Sequence, residues 1–268
     1  MLTRSLVILF ILFSFFPQSP SGFAQEGALT GAEIMNKSRE LLYQVDDQKN
    51  TVTLWLIEPD GAMKRIVASR YWKNYRGEGG IDNKMLLVTE FPADSRGVAF
   101  LVWDYAQEGK PDDLWLHLPA LRMVRRISGQ DLNDAFLGSD LTFGDMGQRA
   151  LSQDTHTLLN EELYQGDLCY VVESVPKEKE SPYHKKVSWI SKKNWTILKI
   201  DYYDPDQKLL KRQTIEWQQV KQMSVWKRTN VTNIQNAHRT VFEVSGLEIN
   251  THLQDQDFTE RALKQGLR

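Results

Sequence analysis

Thirteen short runs of β-forming residues follow one another between Thr51 and Ile249, and a chain so divided can build little except a large sheet. The runs are TVTLWLIE (51–58), MKRIVASRYW (63–72), KMLLVTEF (84–91), GVAFLVWDY (97–105), DLWLHL (113–118), RMVRRI (122–127), HTLLNEELY (156–164), LCYVVESV (168–175), KKVSWIS (185–191), TILKIDYYD (196–204), KLLKRQTIEW (208–217), VWKRTNVTNI (225–234) and HRTVFEVSGLEI (238–249). Turn chemistry separates them, as in Glu58-Pro59-Asp60-Gly61, Arg76-Gly77-Glu78-Gly79-Gly80, Glu108-Gly109-Lys110-Pro111-Asp112 and Asp204-Pro205-Asp206. Short links make consecutive strands antiparallel neighbours, so the expected sheet is a meander. Helical spacing is confined to the ends, at Thr30 to Val45 (Ile34, Leu41 and Leu42 apolar) and at Phe258 to Leu267. No repeat, low-complexity linker or composition break divides the chain, which predicts one domain over residues 25–268.

The strands are of two kinds. In KLLKRQTIEW, Leu209, Ile215 and Trp217 share one face with Lys211 and Gln213, while Arg212, Thr214 and Glu216 occupy the other. Such alternation belongs to a strand with one wet face. Met85 to Val88, Val98 to Trp103 and Leu114 to Leu118 do not alternate, so both of their faces must be covered. A sandwich core, or helices packed on the second face, explains this. So does a curved sheet whose concave side is an apolar cavity roofed by helices. Pattern alone favours the first account.

The beginning of the chain bears on where it works. Arg4 is followed by the apolar run Leu6 to Phe16 and by Gly22-Phe23-Ala24, which predicts a signal peptide over residues 1–24, cleaved after Ala24. The run falls short of the ~20 apolar residues that span a bilayer, which argues against an uncleaved anchor. With no cysteine near the cleavage site, a lipid-anchored form is not expected, and the protein should be free in the periplasm. The 33 Lys and Arg less Arg4 leave 32 bases against 35 acids, a balance that gives no reason to expect a nucleic-acid partner. Cys169 is the only cysteine, so no internal disulfide can form, and its apolar setting LCYVV reads as core packing.

Chemistry has poor support. There is no G-x-S-x-G; Ser139 in LGSDL stands beside Gly138 in a turn-forming context. His117, His156, His184, His238 and His252 are scattered singly, with no metal-ligand spacing, so neither a metal nor another cofactor is expected. Asp131, Asp134, Asp140 and Asp145 lack the spacing of a calcium loop and suit caps or ion pairs better. An enzyme is not expected.

One segment is more telling. Asp113-Leu114-Trp115-Leu116, then Leu118-Pro119-Ala120-Leu121-Arg122, then Val124-Arg125-Arg126-Ile127-Ser128, then Phe136-Leu137-Gly138-Ser139-Asp140 through Met146 resembles the centre of the outer-membrane lipoprotein-sorting (LolA-like) family. The L-L-Y-Q ending of the first helix, the β-rich body and the ending at Asp255 to Leu263 also fit, so the resemblance covers essentially the whole mature chain. It implies a mainly β fold, a strongly curved antiparallel sheet forming an incomplete barrel, with helices capping an apolar concave face. It further implies a carrier of lipid or lipoprotein acyl chains, in a branch that accompanies resistance-nodulation-division (RND) transporters of the inner membrane. The rival reading is a protein–protein adaptor of an export complex with a filled cavity. No acyl-binding residue of the true carriers aligns with a position here.

A cavity for acyl chains needs apolar surface, at about 0.8 kcal/mol per buried methylene, and no catalytic group. Leu114, Leu116, Leu118, Phe136, Leu141 and Phe143 are the expected ligand-binding residues, the last three with Leu137 forming a lid over the cavity mouth that Gly138 and Gly144 keep mobile. Arg125 and Arg126 either meet a headgroup or transporter or pair with Asp131, Asp140 or Asp145, the second being favoured. A monomer is expected.

Overall fold

The computed structural model describes residues 29–221 and 223–265, so the expected signal segment and the expected end of the last helix at Leu267 lie outside the described residues. All thirteen expected runs are strands: β1 (Asp47–Ile57), β2 (Met63–Asn74), β3 (Ile81–Phe91), β4 (Ala99–Tyr105), β5 (Asp113–Leu118), β6 (Met123–Ile127), β7 (Asp154–Tyr164), β8 (Asp167–Pro176), β9 (Lys185–Ser191), β10 (Ile197–Tyr203), β11 (Leu209–Val220), β12 (Met223–Asn233) and β13 (Arg239–Ile249). They form one antiparallel sheet in the order β6-β5-β4-β3-β2-β1-β13-β12-β11-β10-β9-β8-β7.

The meander is therefore interrupted once. β1 pairs with β13, and the sheet grows outward from that pair as two arms. β6 and β7 are consecutive in sequence but form the two free edges, because the segment between them is no hairpin: it is a long connection that carries short helical turns and α2 (Phe143–Met146) across the sheet. Its residues touch both arms. Phe143 packs on Phe100 of β4, while Asp145 meets Lys211 of β11 and Lys186 of β9. Only a curved sheet brings strands so far apart in its order to one short helix.

The double coverage of the early strands has a divided cause. On the concave side, Leu54, Met85, Leu87, Phe100, Val102 and Leu114 bury against Phe136, Leu141 and Phe143 of the connection. On the convex side, Leu86, Ala99 and Leu101 bury against Phe258, Ala262 and Leu263, the last two on α3 (Glu260–Gln265), and Trp103 donates its indole N–H to the Phe258 carbonyl at 2.9 Å. Thus one of the two expected end helices caps the convex face and the other the concave face. The latter, α1 (Gly31–Glu40), starts at a Thr30–Glu33 capping box and buries Ile34 against Val172 and Ile190 of the second arm. Gly31 permits this approach, since a Cβ there would lie 2.7 Å from the His156 backbone.

Candidate ligand cavity

The connection between β6 and β7 is built to fold inward. Arg122, in the left-handed region at φ 49°, ends the turn begun by Pro119, and β6 then returns along β5. Beyond β6, the Phe136 N–H donates to the Leu141 carbonyl at 2.8 Å and the Phe143 N–H to the Asp134 carbonyl at 3.0 Å. Thr142 caps α2 by accepting from the Asp145 N–H. This closed local frame presents two aromatic rings to the sheet. Phe136 is fully buried, and its ring centroid lies 5.2 Å from Phe100 and 5.7 Å from Phe143. The rings sit inside the concave side of the first arm, where a lid over the mouth was expected. Gly138 supplies a turn at φ 78°, and Gly144 a close approach, since a Cβ would stand 3.3 Å from the Leu132 carbonyl oxygen.

Asp145 fastens this plug to the second arm. Its carboxylate accepts from the Tyr183 hydroxyl at 2.6 Å, from Lys211 Nζ at 2.9 Å and from Lys186 Nζ at 3.3 Å. Lys211 also donates to the Tyr183 hydroxyl at 2.6 Å and to the Asp140 carbonyl at 2.6 Å. Burial alone would push the Asp145 carboxyl up; Lys186 and Lys211 overcome it and hold the group well below the usual carboxylate range. The same burial, with the Asp145 charge beside it, drives the Tyr183 phenol well above its ordinary value. Two ammonium groups surround this carboxylate, and the Asp140 charge also acts on Lys211.

Between the plug and the second arm, a cleft of ≈ 240 Å³ remains open on the concave side. β3 contributes Met85, β11 Ile215 and Trp217, β12 Trp226, β13 Phe242 and the plug Leu141 and Met146, with Arg70 of β2, Gln213, Thr229 and Asp145 as polar members. The face assignment of β11 holds here: Gln213, Ile215 and Trp217 all line the cleft. Arg70 makes one long hydrogen bond to Gln48 Oε1 at 3.4 Å, and burial without a compensating carboxylate pushes its guanidinium down to about 10.

Of the six expected ligand-binding residues, Leu141 lines this cleft. Leu114, Phe136 and Phe143 are buried in the concave core, Leu116 packs partly buried at its border, and Leu118 is half-buried where β5 ends. Arg125 pairs with Asp131 at 2.6 Å, as favoured, whereas Arg126 pairs with Asp113, a partner the sequence reading passed over. Asp113 and Arg126 come together because Trp115 stands opposite Arg126 and Asp113 lies two residues before it on the same face. Arg70, Trp226 and Phe242 could not be picked out from the sequence as cleft residues. For β11 there was a signal, the shared face of Ile215 and Trp217.

Among the described residues, no group of three or more His, Cys, Asp or Glu is placed to hold a metal ion, and no helix is long and apolar enough to cross a membrane. Cys169 is fully buried, and that burial pushes its thiol up.

Residues 81–265 match the sequence profile of a family described as uncharacterized protein. No curated protein matches the chain. Among solved structures, a DUF1329 family protein from Desulfovibrio piger is 28% identical, with a TM-score of 0.81 over 87% of this chain and 97% of that one. A putative outer membrane lipoprotein-sorting protein domain from Vibrio parahaemolyticus is likewise 28% identical, with a TM-score of 0.81 over 87% of this chain and 98% of that one. A LolA superfamily protein from Nitrosomonas europaea is 20% identical, with a TM-score of 0.68 over 87% and 99% of the two chains, and shares the fold.

Proposed function

This chain belongs to the DUF1329-like family within the LolA-like fold, and from that premise we propose that it is a periplasmic carrier of a lipid, of lipoprotein acyl chains or of a similarly apolar molecule. The observation that carries the reading is the apolar cleft on the concave face of a sheet that does not close. Met85, Ile215, Trp217, Trp226 and Phe242 offer a ligand a surface that replaces water, worth about 0.8 kcal/mol for each methylene it covers. The cleft lies just under the ~300–1,000 Å³ usual for small-molecule sites, so a longer chain requires the Phe136–Phe143 plug to give way. Such a carrier is not an enzyme: binding and release need no nucleophile, metal or cofactor.

In this reading residues 1–24 are a cleaved signal peptide, residues 25–268 act as one monomeric domain, and an RND-type transporter of the inner membrane is the partner for transfer. Leu114, Leu116 and Leu118 become wall when the plug moves, and Phe136, Leu141 and Phe143 the plug side chains that meet the ligand. The buried plug also favours a second reading, an adaptor whose cavity is filled by its own side chains.

Native mass spectrometry of protein exported to the periplasm and purified without detergent separates the two, together with titration by the neutral probe N-phenylnaphthylamine. A lipid-sized adduct, or saturable binding of the probe, supports the carrier. Clean apoprotein that binds no probe overturns it in favour of the adaptor.

A further inference from the structure

Arg70 is an odd residue to find in an apolar cleft. It lies on the concave face of β2, two residues from Ala68 and two from Trp72, both of which are buried. The guanidinium borders the cleft with Met85, Trp217, Trp226 and Phe242, and its carbon stands 6.0 Å from the Trp226 ring centroid. Arg70 is half-buried, and an arginine drawn out of water to that degree is ordinarily paired with a carboxylate, because an uncompensated charge is costly to desolvate. Arg70 has no such partner among the described residues. Its one hydrogen bond, to Gln48, is long. Asp145 lines the same cleft, but Lys186, Lys211 and the Tyr183 hydroxyl already occupy its carboxylate.

A second polar group beside it is also underused. Asn50 of β1 stands directly opposite Arg70 in the β1–β2 register, is 7% exposed, and its Oδ1 has no hydrogen-bond partner. The β1–β13 register slips between Lys49 and Thr51, so Asn50 faces the two bulged residues Gly246 and Leu247 of β13, while its pairing with Arg70 is unbroken. Its amide can turn to present either end, an acceptor or two N–H donors. Arg70 on the cleft wall, with the unsatisfied Asn50 amide next to it across the β1–β2 register, forms a receptor for planar oxygens.

We propose that Arg70, assisted by Asn50, is the anion receptor of the cleft, so that its ligand is an amphipathic anion: a hydrocarbon tail on the aromatic wall and a carboxylate or phosphate head on the guanidinium. The inference rests on the carrier reading and narrows it, since a carrier of neutral acyl chains has no use for an unpaired, half-buried cation on its apolar wall. Charge also decides orientation. The head lies at β2, in the middle of the sheet, and the tail runs along β11 to β13 beneath the plug.

The test uses two ligands with the same tail and different heads, laurate and dodecanol, titrated by isothermal calorimetry into the mature protein and into Arg70→Gln and Arg70→Lys. Charge-assisted hydrogen bonds are about twice as strong as neutral ones, so the wild type should bind laurate about tenfold or more tighter than dodecanol. Arg70→Gln should lose that preference while its affinity for dodecanol stays within about twofold, since the apolar wall is untouched; Arg70→Lys should keep part of it. Removing an uncompensated charge should not lower the melting temperature of either variant. Laurate and dodecanol bound equally by the wild type would overturn the anion receptor and leave the carrier standing. A preference for laurate that survives in Arg70→Gln would overturn it equally. If the wild type binds neither ligand and no N-phenylnaphthylamine, the carrier reading fails and the receptor with it. Should inorganic phosphate or acetate compete with laurate at millimolar concentration in the wild type but not in Arg70→Gln, the head alone is recognised and the proposal holds.

Discussion

Replacing Asp145 by Asn tests whether the plug is bolted to the second arm by charge. The substitution keeps the shape and leaves two ammonium groups around a neutral amide. Lys211 is the sensitive one, because its side chain is 3% exposed and retains only the Tyr183 hydroxyl and the Asp140 carbonyl. Lys186 is less confined, at 23%, and can turn toward water. Removing one partner of a buried ion pair costs about 3–5 kcal/mol, because the remaining charge stays desolvated. At about 2–4 °C per kcal/mol for a domain of this size, the melting temperature should fall by about 6–20 °C. The double variant Asp145→Leu/Lys211→Met should recover most of that loss, since apolar groups of similar volume often replace a buried pair at little cost. Circular dichroism melts at several pH values complete the experiment. The folded carboxyl titrates below its unfolded value of about 3.9, so its contribution is present above that pH and is lost only as pH falls further. The difference between wild type and Asp145→Asn should therefore be level from pH 8 to pH 5 and shrink in acid. A variant that melts within about 2 °C of wild type at pH 7 would refute the electrostatic bolt.

Two further outcomes follow from the same geometry. Burial, and after it the neighbouring Asp112 charge, pushes the Asp104 carboxyl well up; its contribution to stability is full below about pH 3.9 and is lost as pH rises through the folded value. Asp104→Asn, which can still accept from the Gln148 N–H, should then melt above wild type at pH 8 and not at pH 4; a lower melting temperature at pH 8 would sink the assignment. Phe143→Glu places a charge between Phe100 and Phe136 and should abolish the cooperative melt, whereas Leu118→Glu, half-buried at the end of β5, should shift it by only a few degrees. Equal damage from both would contradict the placement of Phe143 as core.

Alternation and turn chemistry are local properties, and they located every strand: β9, for instance, spans the seven residues KKVSWIS that the sequence marks. The apolar doublets of β3 to β5 likewise announced two covered faces. What covers them was not legible, because α3 on one side and the Phe136–Phe143 plug on the other arrive from distant parts of the chain. The pairing of β1 with β13 is of the same kind. No local pattern states that the first and last strands meet, and a meander read from short links alone would have set β6 beside β7. The cleft exists only through that pairing, which carries β11 to β13 around to face β2 and β3. Arg70 in the sequence ASRYW looks like any polar residue on a half-wet strand. It becomes an unpaired cation on an apolar wall only when Trp217, Trp226 and Phe242 are brought across the curved sheet to meet it, because burial and the absence of a counter-charge are properties of neighbours in space.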